Sequence, residues 1–117
     1  MRRLRPWLPA LAWAALIFSL SAQPKLIVDL ELGTDKLAHF LAYAVLGALL
    51  AHAQTRTGWP PAAAVALGIA YGASDEWHQS FVPGRSVSGL DWLADLCGVT
   101  LGYWAASQSR ITQRMNR

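Results

Sequence analysis

Ionisable and hydrogen-bonding residues gather at three places in this sequence. Asp35, Lys36, His39 and Tyr43 form the first group, and Asp75, Glu76, His78 and Gln79 the second. Arg85, Ser88, Asp91 and Asp95 form the third. Each group has helical spacing. Lys36, His39 and Tyr43 stand at i, i+3 and i+7, as do Ser88, Asp91 and Asp95. Glu76 and Gln79 share one face, and Asp75 and His78 a neighbouring one.

Such residue types suit acid/base chemistry on a polar group. His39 can move a proton near neutrality. Glu76 could act with it, and Asp91 could orient its imidazole. Lys36 and Arg85 could hold an anion, because Pro83-Gly84-Arg85-Ser86 leads into a helix start whose free N–H groups favour one. Asp35, Gln79 and Asp95 complete a binding set. Plainer roles stand beside these. His39 could be a buried imidazole bonded to Glu76 or Asp91. Glu76 and Gln79 could satisfy Arg85 and a loop backbone, and Arg85 could neutralise Asp91 and Asp95. One of Asp75 and Glu76 is expected to face solvent, His78 is expected to be interfacial, and His52, at the cytoplasmic end, incidental. His39, Glu76, Asp91 and Asp95 are of metal-ligand type. No local spacing such as His-Glu-x-x-His accompanies them, so no metal and no cofactor is expected. A phosphate loop, a nucleophile elbow and a dinucleotide fingerprint are absent as well.

The elements that must carry these residues are apolar. Of 117 residues, 54% are hydrophobic and 15% charged, against ~25% charged in soluble domains. This excludes a disordered tail, a nucleic-acid-binding arm and an ordinary charged domain. A single cysteine, Cys97, excludes an internal disulfide and a Cys-rich zinc site. Four apolar stretches, about 7–22, 37–53, 61–77 and 90–106, are separated by Pro- and Gly-containing breaks. Each is at the short end of what crosses a ~30 Å hydrocarbon layer. A soluble bundle would show a charged face on every helix, and the first stretch has no charge at all. The expected fold is all-α: one domain over 1–117, a four-helix transmembrane bundle with both termini cytoplasmic.

Charge sorting gives that orientation. Arg2, Arg3, Arg5, Arg56, Arg110, Arg114 and Arg117 fall on one side after four crossings. All seven acids fall on the other. The Arg-rich start followed by Ser-Leu-Ser-Ala has the form of a signal peptide, but an uncleaved first helix is expected. Gly68-x-x-x-Gly72 and Gly98-x-x-x-Gly102 suit close helix approach, either within one bundle or at a dimer face; packing within the bundle is expected. An ionised Asp facing lipid at mid-helix costs ~2.5–3.5 kcal/mol, so the three polar groups are expected to meet in one outward-opening cavity.

Three strings carry a family resemblance: Asp35-Lys36-x-x-His39-Phe40-x-x-Tyr43, then Asp75-Glu76-Trp77-His78-Gln79-x-Phe81-Val82-Pro83-Gly84-Arg85, then Asp91-Trp92-Leu93-Ala94-Asp95-x-x-Gly98. In this order they resemble the VanZ-like family of small bacterial membrane proteins, over roughly residues 35 to 102. The family's polar positions map onto Asp35, Lys36, His39, Glu76, Gln79, Arg85, Asp91 and Asp95. Relatives commonly carry Asn where this chain has Asp95. The resemblance implies a multi-pass protein of the bacterial inner membrane in a cell-envelope setting, with antibiotic resistance as one association of the family. Its expected partners are membrane lipids and a lipid-linked or amphiphilic ligand, with no nucleic acid. Oligomeric state is left open, as is the choice between binding protein, enzyme and purely structural cluster.

Overall fold

The computed structural model describes residues 3–22, 32–82 and 89–115, the side chains of 32–35 and 110–115 excepted. It is all-helical, with no strand among the described residues. A short 3-10 turn, Arg5–Trp7, leads into α1 (Leu8–Ser21). Then follow α2 (Leu32–Thr57), α3 (Pro61–Gln79) and α4 (Gly89–Met115). These are the four expected helices, but α2 and α4 run past their apolar stretches at both ends. Loss of apolarity marks where a helix leaves an apolar environment. It does not interrupt the backbone hydrogen bonds that continue the helix. The break between α2 and α3 has local causes. Gly58 adopts φ 75°, a left-handed conformation that suits glycine after a helix end, and its N–H reaches the Gln54 carbonyl at 3.0 Å. Pro61 then fills the first position of α3, where its missing N–H costs nothing.

Side-chain contacts fix the directions of the helices. Trp7 packs edge-on against Trp59, the Tyr71 hydroxyl donates to the Ala14 carbonyl, and Phe18 stacks on His78. α1 and α3 therefore run parallel. Lys36 meets Asp91 at the start of α2 and α4, and Tyr103 donates to Gln54 towards their ends, so these two also run parallel. The four helices alternate up and down. Arg3, Arg5 and Arg56 lie at one end of the bundle, and Asp75, Glu76, Asp91 and Asp95 at the other.

α2 and α4 share the most extensive interface. Glycines make it possible. A Cβ on Gly98 would collide with the Phe40 carbonyl oxygen, one on Gly102 with that of Ala44, and one on Gly47 with that of Val99. Gly68 faces Val99 and Leu50, and Gly72 faces Asp95 and Tyr43. Both Gly-x-x-x-Gly pairs thus serve packing within this bundle.

Within an apolar core that includes Ile17, Leu46, Leu50 and Val99, the bundle also buries polar side chains, and it leaves large apolar ones exposed. Ser21, Asp75, Glu76, Gln79, Asp91 and Asp95 are buried, while Leu11, Leu16, Phe18, Leu41, Leu67, Trp77, Leu93, Leu101 and Trp104 are exposed. Among the described residues, one helix, Lys36–Thr57, is long and apolar enough by itself to cross a membrane. Of the other three, α1 has 14 residues, and α3 and α4 interrupt their apolar runs with acids.

Gly102→Ala should lower the folded yield and the melting temperature in detergent sharply, because backbone must move to admit a methyl group. Gly89→Ala meets nothing within 4 Å and should be neutral or gain up to ~1 kcal/mol from helix propensity. Equal melting of the two variants would contradict the close α2–α4 approach.

Candidate functional site

At the acidic end, α2, α3 and α4 present their polar stripes to one another. Three side-chain pairs descend into the bundle. In the outermost, Lys36 Nζ donates to Asp91 Oδ1 at 3.0 Å. Next, His39 Nδ1 lies 2.9 Å from Asp95 Oδ1. Deepest, the Tyr43 hydroxyl donates to Asp75 Oδ2 at 3.0 Å. The descent from Lys36 to Tyr43 is about 10 Å along α2, at ~1.5 Å per residue. Exposure falls with depth: the side chain of Lys36 is 25% exposed, that of His39 10% and that of Asp95 1%. Glu76 and Gln79, one turn apart on α3, are buried beside these pairs.

The register follows from parallel α2 and α4. A step of three residues from Lys36 to His39 matches a step of four from Asp91 to Asp95, so both pairs close at once. Gly72 lets α3 approach at this level: a Cβ there would lie 3.3 Å from Asp95 Cβ and 3.5 Å from the Tyr43 ring.

The partners differ from those the residue types suggested. Asp95 is hydrogen-bonded to His39, and Asp91 is engaged by Lys36. Depth decides this, since Asp95 lies one turn below Asp91, level with His39. Neither Asp75 nor Glu76 faces solvent; they are 3% and 7% exposed. Asp75 was not among the expected site residues. The signal for it was Tyr43, whose hydroxyl falls on the polar face and needs an acceptor when buried. His78 stacks on Phe18 with ring centroids 4.2 Å apart. Arg85 and the side chain of Asp35 lie outside the described residues, as does Ser88.

The arrangement supports several kinds of chemistry. A histidine held by a buried carboxylate, with Glu76 adjacent, is a proton-transfer pair. Lys36, part-exposed at the rim with two further N–H donors, can meet an anionic group. The described polar groups fit closely together. A cavity of about 390 Å³ lies elsewhere, lined by apolar residues including Trp7, Leu11, Leu46, Trp59, Leu67 and Tyr71.

One family model, VanZ/LLP1, matches residues 6–111. The chain belongs to the VanZ/LLP1 family. The match reaches beyond the three polar strings to include α1 and most of α4, so the family pattern covers the whole bundle. No curated protein and no solved structure matches the chain. Within this VanZ/LLP1 bundle, Tyr43→Phe tests the deepest pair. It removes the donor to buried Asp75 and should cost about 1–3 kcal/mol in detergent unfolding experiments. Wild-type stability would show that the hydroxyl is not needed there.

Proposed function

We propose that the chain is a four-span protein of the bacterial inner membrane with both termini cytoplasmic. Its outward polar end binds the polar group of a cell-envelope amphiphile: a lipid, a lipid-linked wall precursor or an amphiphilic antibiotic. Buried acids together with exposed large apolar side chains carry this reading. Exposed leucines, Phe18 and Trp104 are at home in acyl chains, and buried acids and bases need one another there. Length is compatible. α1 and its 3-10 turn together cover ~27 Å at ~1.5 and ~2.0 Å per residue, close to a ~30 Å layer. Arg3, Arg5 and Arg56 at one end support that end as cytoplasmic.

The polar end is suited to an amphiphile by its gradation. Lys36 stands at the rim and can reach a headgroup phosphate or carboxylate while keeping Asp91. His39, Glu76 and Gln79 lie just inside and can sort polar groups by hydrogen bonding. His39 held by Asp95 also favours a second reading, a membrane enzyme acting on the bound headgroup with His39 and Glu76 as acid/base groups.

The test is purification in native membrane patches, with lipid identification by mass spectrometry. The binding reading expects one polar-headed amphiphile enriched over bulk membrane, and its loss in folded Lys36→Met protein. Chemical change of a labelled envelope lipid that disappears in His39→Ala would establish the enzyme reading instead. No enrichment, no turnover and an unaltered cellular phenotype in both variants would leave the polar cluster a purely structural device and overturn the proposal.

A further inference from the structure

The structure holds a second capacity in the same residues. Ligand-type atoms of His39, Glu76 and Asp95, one residue from each of α2, α3 and α4, all lie within 4.8 Å of one another. We propose that His39, Glu76 and Asp95 form a binding site for a divalent first-row transition-metal ion. This goes beyond amphiphile binding and does not depend on it.

Two independent observations carry the proposal. The first is geometry. Ligands at ~2.0–2.2 Å from a metal sit roughly 2.8–3.6 Å from each other in octahedral or tetrahedral shells. His39 Nδ1 and Asp95 Oδ1 are already 2.9 Å apart, the spacing of two adjacent ligands. Drawing in the third ligand from within 4.8 Å requires about 1 Å of side-chain movement. A metal ion would take the place of the proton now shared by the nitrogen and the oxygen. The second is an orphan atom. Asp95 is 1% exposed, and its Oδ2 is buried with no hydrogen-bond partner among the described residues. An acceptor in that state calls for a cation or a donor. Asp75 Oδ1 is likewise buried without one among the described residues.

The surroundings are rich in acid: Asp75, Glu76, Asp91 and Asp95 are all buried at this end of the bundle. One imidazole with two carboxylates suits zinc, manganese or ferrous iron, and leaves coordination positions open.

The experiment uses the full chain purified in detergent, stripped with chelator and then titrated with Zn²⁺, Mn²⁺ or Co²⁺. One metal per chain by elemental analysis is expected, with a melting temperature raised by metal and lowered by chelator. Co²⁺ should give ligand-field absorption bands characteristic of an N/O site. His39→Ala, Glu76→Gln and Asp95→Asn should each weaken binding by at least about tenfold. The last two keep side-chain shape, so folded protein is expected for the comparison. His52→Ala, outside the trio, should bind as wild type does. Absence of stoichiometric metal from folded wild-type protein would overturn the site. So would equal binding in Asp95→Asn and wild type, which marks adventitious ions only. Neither result bears on whether an amphiphile co-purifies.

Discussion

Everything in this bundle answers to one constraint: charges placed inside a structure with an apolar exterior must find partners inside it. Asp75, Glu76, Asp91 and Asp95 are buried while leucines and tryptophans cover the surface. An uncompensated buried charge costs several kcal/mol, so removal of one partner is far more damaging than replacement of both. The three pairs on α2 therefore act as a set. They tie α2 to α4 twice and to α3 once, and each successive pair is deeper and drier than the one above it.

That set could not close without the glycine contacts below it. Gly47, Gly98 and Gly102 bring the α2 and α4 backbones into direct contact, and the short side chains of Asp91 and Asp95 can then reach α2. Gly72 does the same for α3. Packing and chemistry are one design here, because helix separation sets whether a two-atom carboxylate arm reaches its partner. At the opposite end, Gln54 accepts from Tyr103 and donates to the Trp59 carbonyl, which joins α4 and the α2–α3 turn to α2. The apolar cavity ends near Tyr71, whose ring lies 6.1 Å from that of Tyr43. Polar and apolar halves of the molecule therefore meet at one pair of tyrosines.

Much of this was legible in the sequence. Helix number and order followed from the apolar stretches, and the meeting of His39, Glu76 and Asp95 followed from polar stripes on helices that are otherwise apolar. The pairing was not legible from residue type alone. It depends on register, and only the matched steps Lys36 to His39 and Asp91 to Asp95, on parallel helices, reveal it. One of the adjacent acids Asp75 and Glu76 is expected from the sequence to face solvent, since neighbours on a helix point about 100° apart. A third helix packed against α3 removes that choice. Gly47 escaped notice because it lies outside the two Gly-x-x-x-Gly strings. The ligand types of His39, Glu76, Asp91 and Asp95 were legible, but which three of them converge was not, because they come from three helices with no local motif.

The pairing of α2 with α4 is the claim on which site and fold both rest, and charge reversal at the outermost pair tests it most directly. Lys36→Asp, Asp91→Lys and the double exchange would be compared for folded yield and melting in detergent. The account predicts that each single reversal destabilises the protein, by like-charge contact in a part-buried site, and that the double exchange recovers most of the loss. Single reversals that melt as the wild type does, or a double variant no better than the sum of its parts, would contradict it.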